Sequence, residues 1–288
     1  MPHPALEDYI ARLHDTPQPE TRVWKDAEGR AQGRYFNSTL TSAFQSIRRL
    51  DSHMVTGFEG FIRSYSSTDD GLSLWKLLDL AASDDESIEL DRLCRLLHAI
   101  NFFRQPAAAG RDLYLSVHAR LLAAVDGNHG IAFRRILDML GVPQQRVVLQ
   151  LPAIVEQQGW LLNYVADNYR RNGFRVAINA ADAAEALDLL HRVRADVVKV
   201  DGREIADEVA ALRLAHECAN LNLQLIFKRV ENRRTSELIQ SLGEQSGHVM
   251  HAQGYLWDIP KASLDATDAG TPAAQHETVI PRAIAGAV

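Results

Sequence analysis

Cysteine is scarce in this sequence, with only two among 288 residues. Cys94 and Cys218 each lie inside an apolar segment with helical spacing, which favours two small buried hydrophobic residues over a disulfide or a metal site. No apolar run approaches the ~20 residues that a membrane-spanning helix needs. The opening residues carry acidic side chains where a signal peptide has a cationic region. We therefore expect a cytoplasmic protein with no membrane partner.

Basic residues are also fewer than acidic ones, 31 against 37. The net charge of −6 argues against direct nucleic-acid binding, which needs a basic surface. No G-x-G-x-x-G pattern follows the first predicted strands, so the usual signal for a dinucleotide cofactor is missing. A hydrophobic content of 46% with 24% charged residues is typical of a soluble protein with a substantial core.

Short apolar runs alternate with helical patterns over more than 200 residues. This alternation predicts parallel βαβ units, and their number favours a closed (β/α)8 TIM-type barrel, an α/β single domain, over a doubly wound sheet. Gly141 and Gly173 stand where two of the helices should end. The predicted strands are 113–117, 146–151, 174–178, 196–200, 223–227 and a short one near 247–255, and the predicted helices include 73–83, 89–103, 131–141, 184–194 and 208–221.

The two ends of the chain differ from this pattern. Residues 1–35 hold a short amphipathic segment, ALEDYIARL, and a polar stretch, which predict an N-terminal helix and a linker. Residues 263–288 are small and polar with little periodicity, which predicts a loosely ordered tail. The barrel should therefore occupy residues 36–262.

Several motifs near the predicted strand ends resemble those of EAL domains, the phosphodiesterases that hydrolyse cyclic di-GMP. Glu59-Gly60-Phe61 stands where that family has Glu-Ala-Leu, and Arg63 matches its following arginine. The other similar segments, in chain order, are FQSI with Gln45, DVVKVD with Lys199 and Asp201, KRVE at 228–231, and AQGYLWDIPKA with Gln253. The order and spacing match from about residue 36 to 262, so the resemblance implies the EAL barrel.

The resemblance also implies a metal site, which this sequence does not reproduce. EAL phosphodiesterases hold two divalent metals with carboxylates and one asparagine at successive strand ends, because Mg²⁺ and Mn²⁺ prefer such oxygen ligands. Glu59, Lys199, Asp201 and Glu231 match family positions. The expected asparagine corresponds to His118, one glutamate to Gln150, an Asp-Asp pair to Asn179-Ala180, and a later glutamate to Lys228.

Lys228 has the largest consequence among these substitutions. An ammonium has no lone pair to give a metal, and it would repel a cation by roughly 4 kcal/mol at 4 Å in an effective dielectric of about 20. We therefore predict no metal and no cofactor, with Lys228 bridging Glu59 or Glu231 as a fixed cation. Lys199 should reach Glu59, Glu231 or Asp201, because a buried lysine needs a partner.

Three functional hypotheses follow. The first is a catalytically inactive EAL-domain regulator that acts through contact with a protein partner, such as a transcription factor or signalling protein. The second is a receptor that binds cyclic di-GMP without hydrolysing it, through Gln45, Arg63 and Gln253. The third, an active phosphodiesterase, is disfavoured by Ala180 and Lys228.

Overall fold

The computed structural model describes residues 3–18, 22–65, 83–118, 130–152, 159–203 and 205–264. The helices are α1 (Pro4–Ala11), α2 (Asp84–Phe103), α3 (Ile131–Leu140), α4 (Gly159–Arg171), α5 (Ala183–Leu190), α6 (Glu208–Asn220) and α7 (Arg233–Ser246). The strands are β1 (Val23–Lys25), β2 (Ala31–Tyr35), β3 (Ser38–Arg49), β4 (Val55–Tyr65), β5 (Asp112–Ser116), β6 (Val147–Gln150), β7 (Arg175–Ala180), β8 (Val197–Asp201), β9 (Gln224–Lys228) and β10 (Met250–Ala252).

Strands β3 to β10 close into a barrel. Neighbouring strands from β4 to β10 pair in parallel, as the alternation of strands and helices predicts. Strand β3 is antiparallel to both of its neighbours, β4 and β10, and thereby closes the ring. The predicted TIM-type α/β barrel is confirmed, with one reversed strand.

The segment before the barrel is more ordered than a linker. Helix α1 forms as predicted. Residues 23–35, however, contain β1 and β2, and β2 pairs antiparallel with the first residues of β3. The prediction of a linker over these residues is therefore wrong, because Trp24, Ala31 and Leu40 are all buried and tie the hairpin to the barrel.

The apolar runs predict β5 to β10 to within a few residues. They do not predict β3 and β4 as strands, although the two form a long antiparallel pair. The start of α4 is not predicted either, but its end is, because Gly173 follows it in the left-handed conformation. Gly141 ends α3 in the left-handed conformation, at φ 65°, as expected of a helix-terminating glycine. The tail from 265 onward and nearly all of the helix predicted over 73–83 lie outside the described residues.

The core has two layers. A large apolar layer lies between the strands and the surrounding helices. A smaller cluster fills the inside of the barrel, and it consists of Ile47, Tyr114, Val148, Ala177, Val197 and Ile226. Among the described helices, none combines the length and apolar character needed to cross a bilayer.

Tyr114 is the largest member of the interior cluster, and its hydroxyl donates a hydrogen bond to Gln224 Oε1 over 2.8 Å. A β-carbon at residue 57 would approach the Tyr114 ring to 2.7 Å. Gly57 on β4 therefore makes room for the ring, which closes the middle of the barrel beneath the next layer of side chains.

Candidate functional site

A polar layer lies directly above the apolar cluster, toward the carboxyl ends of the parallel strands. Alternate residues of a strand point to the same side, so the residue two positions after each interior apolar residue also faces the barrel axis. Along the parallel strands these residues are Ser116, Gln150, Asn179, Lys199 and Lys228, and on the reversed strand β3 the corresponding residue is Gln45. Glu59 pairs with Gln45 across β3 and β4, and Gln253 follows β10.

Lys199 is the centre of this layer, with only 1% of its surface exposed. Its ammonium donates to Glu59 Oε2 over 2.8 Å, to Gln150 Oε1 over 2.6 Å and to Gln253 Oε1 over 3.0 Å. An ammonium has three donors, so each of them has an acceptor. The Tyr114 ring lies beneath, 5.8 Å from Nζ, in a cation–π position.

The prediction that Lys199 reaches a carboxylate is confirmed, and the carboxylate is that of Glu59. The other carboxylate oxygen, Oε1, accepts from Gln150 Nε2 over 2.9 Å and from Ser116 Oγ over 3.4 Å. Since Lys199 can only donate, it fixes the amide of Gln150 with its oxygen toward the lysine and its nitrogen toward Glu59. Both oxygens of Glu59 are therefore engaged by neighbouring side chains.

The charge of Glu59 is stabilised by these neighbours. Burial alone would raise the pKa of the Glu59 carboxyl, but the positive charge of Lys199 and the hydrogen bonds from Lys199 and Gln150 hold it below the usual 4.5. Glu59 is therefore ionised at neutral pH and forms a buried ion pair with Lys199.

A chain of amide hydrogen bonds extends this network to the C-terminal part of the barrel. Gln253 Nε2 donates to Gln45 Oε1 over 3.0 Å, and Gln45 Nε2 donates to the carbonyl of Asp258 over 2.8 Å. Gln45 and Gln253 are 5% and 3% exposed. Both amides are thus occupied by internal contacts that begin at Lys199.

Lys228 lies beside this network, and its predicted bridge to Glu59 or Glu231 is wrong. Its Nζ donates to Asn179 Oδ1 over 3.2 Å, and Asn179 donates to the carbonyl of Leu151 over 2.9 Å. Burial and the repulsion of Lys199 lower the pKa of Lys228, while the charge of Glu59 opposes the shift. Lys199 already occupies Glu59, so Lys228 has a neutral partner.

The chain turns sharply after Lys228. Arg229 adopts a left-handed backbone conformation, with φ of 60°, which is uncommon for a residue with a side chain. Its guanidinium contacts Asp201 Oδ2 over 3.2 Å, and Arg203 contacts the same oxygen over 3.0 Å. These contacts hold the pKa of Asp201 below its usual value despite partial burial. Glu231 is exposed and lies outside the network.

Arg63 remains on β4, four residues after Glu59 and on the same side of the strand. It is half-buried and makes no hydrogen bond or ion pair with any described residue. Phe61 lies between Glu59 and Arg63 on that side and is likewise half-buried. Arg63 is therefore a cation without a partner among the described residues, on the same side of β4 as Glu59 and its ion pair with Lys199.

The family can be assigned from the sequence as a whole. The model for the EAL domain matches residues 30–260. The chain belongs to the EAL domain family. Among curated proteins the comparison finds no match.

Solved EAL structures share the fold. The chain is 20% identical to Klebsiella pneumoniae BlrP1 in a manganese and cyclic di-GMP complex, over 87% of this chain and 59% of that one, with a TM-score of 0.62. It is 20% identical to a standalone EAL protein of Vibrio cholerae bound to cyclic di-GMP, over 79% and 94% of the two chains, with a TM-score of 0.62. The FimX EAL domain of Pseudomonas aeruginosa, also bound to cyclic di-GMP, is 17% identical over 79% and 93%, with a TM-score of 0.62. The chain thus spans just over half of BlrP1.

In this EAL domain the strand end of β5 differs from the sequence prediction. The side chain that meets Glu59 and Gln150 is Ser116, the last residue of β5. His118, predicted to stand at that position, lies two residues beyond the strand and is half-buried. Counting two residues from the apolar Tyr114 would have identified Ser116, because the period of a strand is two.

The polar layer of this EAL domain does not match the ligand preferences of two divalent cations. Mg²⁺ and Mn²⁺ are held by carboxylate and carbonyl oxygens. Here the layer offers one carboxylate, Glu59, whose oxygens already accept hydrogen bonds, and two ammonium groups. Among the described side chains, no group of three or more His, Cys, Asp and Glu residues is placed to hold a metal ion.

Proposed function

We propose that this EAL domain is a non-hydrolysing regulator that acts by contact with a protein partner. The observation that supports the loss of hydrolysis is the state of Glu59. The layer where the resemblance implies metal-binding carboxylates has one acidic side chain, and Lys199, Gln150 and Ser116 occupy both of its oxygens. Phosphodiester hydrolysis by paired metals needs ligands that hold the metals beside an activated water, and one carboxylate with both oxygens engaged does not supply that ligand set.

The central carboxylate is compensated from within the barrel. Lys199 neutralises Glu59 with a charge that belongs to the chain. The barrel therefore satisfies its central carboxylate without an added cation. Lys228, held by Asn179, adds a second positive charge that disfavours metal entry.

The outer surface supports a role in protein contact. Trp160 and Tyr164 lie one helical turn apart on α4 and are 72% and 45% exposed. Tryptophan and tyrosine are enriched at the energetic centres of interfaces. Their exposure on a helix outside the barrel gives this EAL domain aromatic contact area on its surface.

A second function, binding of cyclic di-GMP without hydrolysis, is supported by two cations of the cleft. Arg63 has no partner among the described residues, and Lys228 has only a neutral one. Both could donate hydrogen bonds to a phosphate group. Against this function, the amides of Gln45 and Gln253 are bonded to each other and to the main chain.

The decisive experiment measures turnover and binding separately. The full chain is incubated with cyclic di-GMP and Mg²⁺ or Mn²⁺, and the products are followed by chromatography beside an active EAL phosphodiesterase. We expect no hydrolysis. Turnover that disappears in Glu59→Ala would refute the proposal.

Calorimetric titration of the same protein with cyclic di-GMP then distinguishes the two functions. No saturable heat is expected for a regulator that acts through protein contact alone. Saturable binding that is lost in Arg63→Ala, but retained in the exposed-arginine control Arg135→Ala, would establish the receptor function instead.

A further inference from the structure

The opposite end of the barrel contains two adjoining cavities. The first has a volume of about 590 Å³ and the second about 660 Å³. They share Arg175, Asp196, Asn222 and Leu223, so they form one continuous groove. This groove lies where strands β5, β7, β9 and β10 begin, and it is therefore separated from the polar layer by the apolar cluster.

The groove is positively charged, although the protein as a whole carries a net charge of −6. Its lining includes five arginines and two aspartates. Arg170 contacts Asp196 over 3.0 Å, Arg192 contacts Asp188 over 2.8 Å, and Arg175 is paired with Asp112. The two remaining arginines, Arg111 and Arg194, have no carboxylate partner among the described residues.

These two cations differ in how they are held. Arg111 donates to the carbonyls of Val55 and Ala107 over 3.1 and 2.7 Å, which fixes its guanidinium without neutralising it. Arg194 is exposed and forms no hydrogen bond or ion pair with any described residue. One end of the groove thus has a pre-positioned cation and the other end an adaptable one.

Two histidines with a buried, unpartnered ring nitrogen line the first cavity. His251 lines it with 9% of its surface exposed, and its Nδ1 has no hydrogen-bond partner among the described residues. His248 Nε2, in the same lining, is likewise buried without a partner. Burial lowers the pKa of His251 to about 4, so the imidazole is neutral at pH 7. Buried polar atoms are nearly always hydrogen-bonded.

Apolar side chains complete the groove. Leu221, at the end of α6, is 50% exposed and lines the second cavity, while Met54 and Val249, which line the first, are 43% and 36% exposed. A small anion would leave this apolar surface uncovered. An extended peptide can place aliphatic side chains on it and carboxylates against the arginines, with its main chain beside the two histidines that line the first cavity.

We propose that this groove is the docking site for an acidic peptide segment of the partner protein, with aliphatic residues between its carboxylates. The inference rests on the proposed function, since it names the surface through which protein contact occurs. Positive charge in the groove would steer an acidic segment toward it and disfavour basic ones. The groove is distinct from the polar layer around Glu59. A groove that binds no acidic peptide and a protein that hydrolyses cyclic di-GMP are therefore separate experimental results.

The test uses a random 12-residue peptide library displayed on phage and selected against the full chain. We expect selected peptides to be enriched in Asp and Glu around aliphatic residues. A synthetic copy of the best peptide should bind about tenfold more weakly to Arg194→Glu, because a favourable charge pair becomes repulsive. Arg135→Glu, on the exposed side of α3, is the matched control and should bind within about twofold of wild type.

Imidazole nitrogen resonances supply a readout that a general charge effect would not change. The signals of His248 and His251 should shift when the peptide binds. Selected peptides without acidic enrichment, equal binding to wild type and Arg194→Glu, or equal weakening by Arg135→Glu would each overturn the proposal. Unchanged imidazole signals at saturation would also overturn it, because they would place the peptide elsewhere.

Discussion

Replacing Lys199 with methionine should destabilise the barrel more than replacing any exposed lysine. The substitution keeps most of the buried side-chain volume but removes the ammonium. Glu59 then loses its ion-pair partner, and the oxygens of Gln150 and Gln253 lose their donor. The apolar floor beneath, formed partly by Tyr114, supplies no substitute charge.

Removing one partner of a buried ion pair costs about 3–5 kcal/mol, because the remaining charge is left desolvated. Glu59 and Lys199 have side-chain exposures of 13% and 1%, so this range for buried pairs applies. For a domain of this size, each kcal/mol corresponds to roughly 2–4 °C in melting temperature. Lys199→Met should therefore melt roughly 6–20 °C below wild type.

The double variant Glu59→Gln, Lys199→Met is the critical comparison. Once both charges are gone, neither member of the pair remains as an uncompensated buried ion, and the loss should be smaller than in Lys199→Met alone. Urea unfolding followed by tryptophan fluorescence and circular dichroism gives the free energies. A Lys199→Met protein as stable as wild type, or a double variant whose loss equals the sum of the two single losses, would refute the central role of this ion pair.

Other predictions concern charge, pH and backbone packing. Lys228→Met should leave the free energy of unfolding unchanged or raise it by roughly 0–1 kcal/mol, because it removes a desolvated charge with a neutral partner. Since the folded pKa of Lys228 is lowered, the stability difference between wild type and this variant should shrink as pH rises toward 10.5. A variant that is less stable than wild type in urea would contradict the neutral-partner interpretation of Lys228. Because the folded pKa of Glu59 is below 4.5, its stabilising contribution is present above pH 4.5 and should fall as pH drops through the folded pKa. Urea unfolding from pH 7 to 3 should show the stability difference between wild type and the uncharged double variant becoming smaller. A difference that stays constant would exclude a contribution of Glu59 ionisation to stability. Gly254→Ala should disrupt the barrel, because a β-carbon there would lie 2.0 Å from the carbonyl oxygen of Val230. Gly247→Ala is the control: a β-carbon there would have no atom within 4 Å, so the variant should lose only about 1–2 kcal/mol to backbone strain. Equal melting temperatures of the two variants would disprove the close approach of Gly254 to Val230.

Sequence patterns predict the parallel part of this barrel well because its strands are buried on both sides. Runs such as VVLQ and VVKVD are nearly uninterrupted apolar segments, which few other structures require. Strands β3 and β4 escape the same analysis. Their sequences, STLTSAFQSIRR and VTGFEGFIRSY, mix polar and apolar residues, and their pairing depends on contacts that the local pattern does not contain.

The position of the candidate site could be predicted from the sequence, but the hydrogen-bond partners within it could not. The predicted strand ends identify Gln150, Asn179, Lys199 and Lys228 as neighbours, since parallel strands bring their carboxyl ends to one face. Glu59 is added by the resemblance to EAL domains. The choice between two lysines for one carboxylate depends on depth. Across β8 and β9, Lys199 pairs with Ile226 and reaches Glu59 directly, whereas Lys228, two residues further along β9, ends its strand beside Asn179. A sequence gives the order of residues along each strand, but not this difference in height between strands.

Closure of the ring by β3 has a consequence for synthesis of the chain. Gln45 on β3 bonds to Gln253 and to the carbonyl of Asp258, partners that are 208 and 213 residues later. Phe44 and Lys261 exchange main-chain hydrogen bonds across the same seam. Until those last residues emerge from the ribosome, β3 and β9 have unpaired edges, and the acceptor chain around Lys199 lacks Gln253. Such long-range contacts form slowly, and exposed edges invite aggregation, so a nascent chain stopped before residue 253 should need a chaperone that the finished barrel does not.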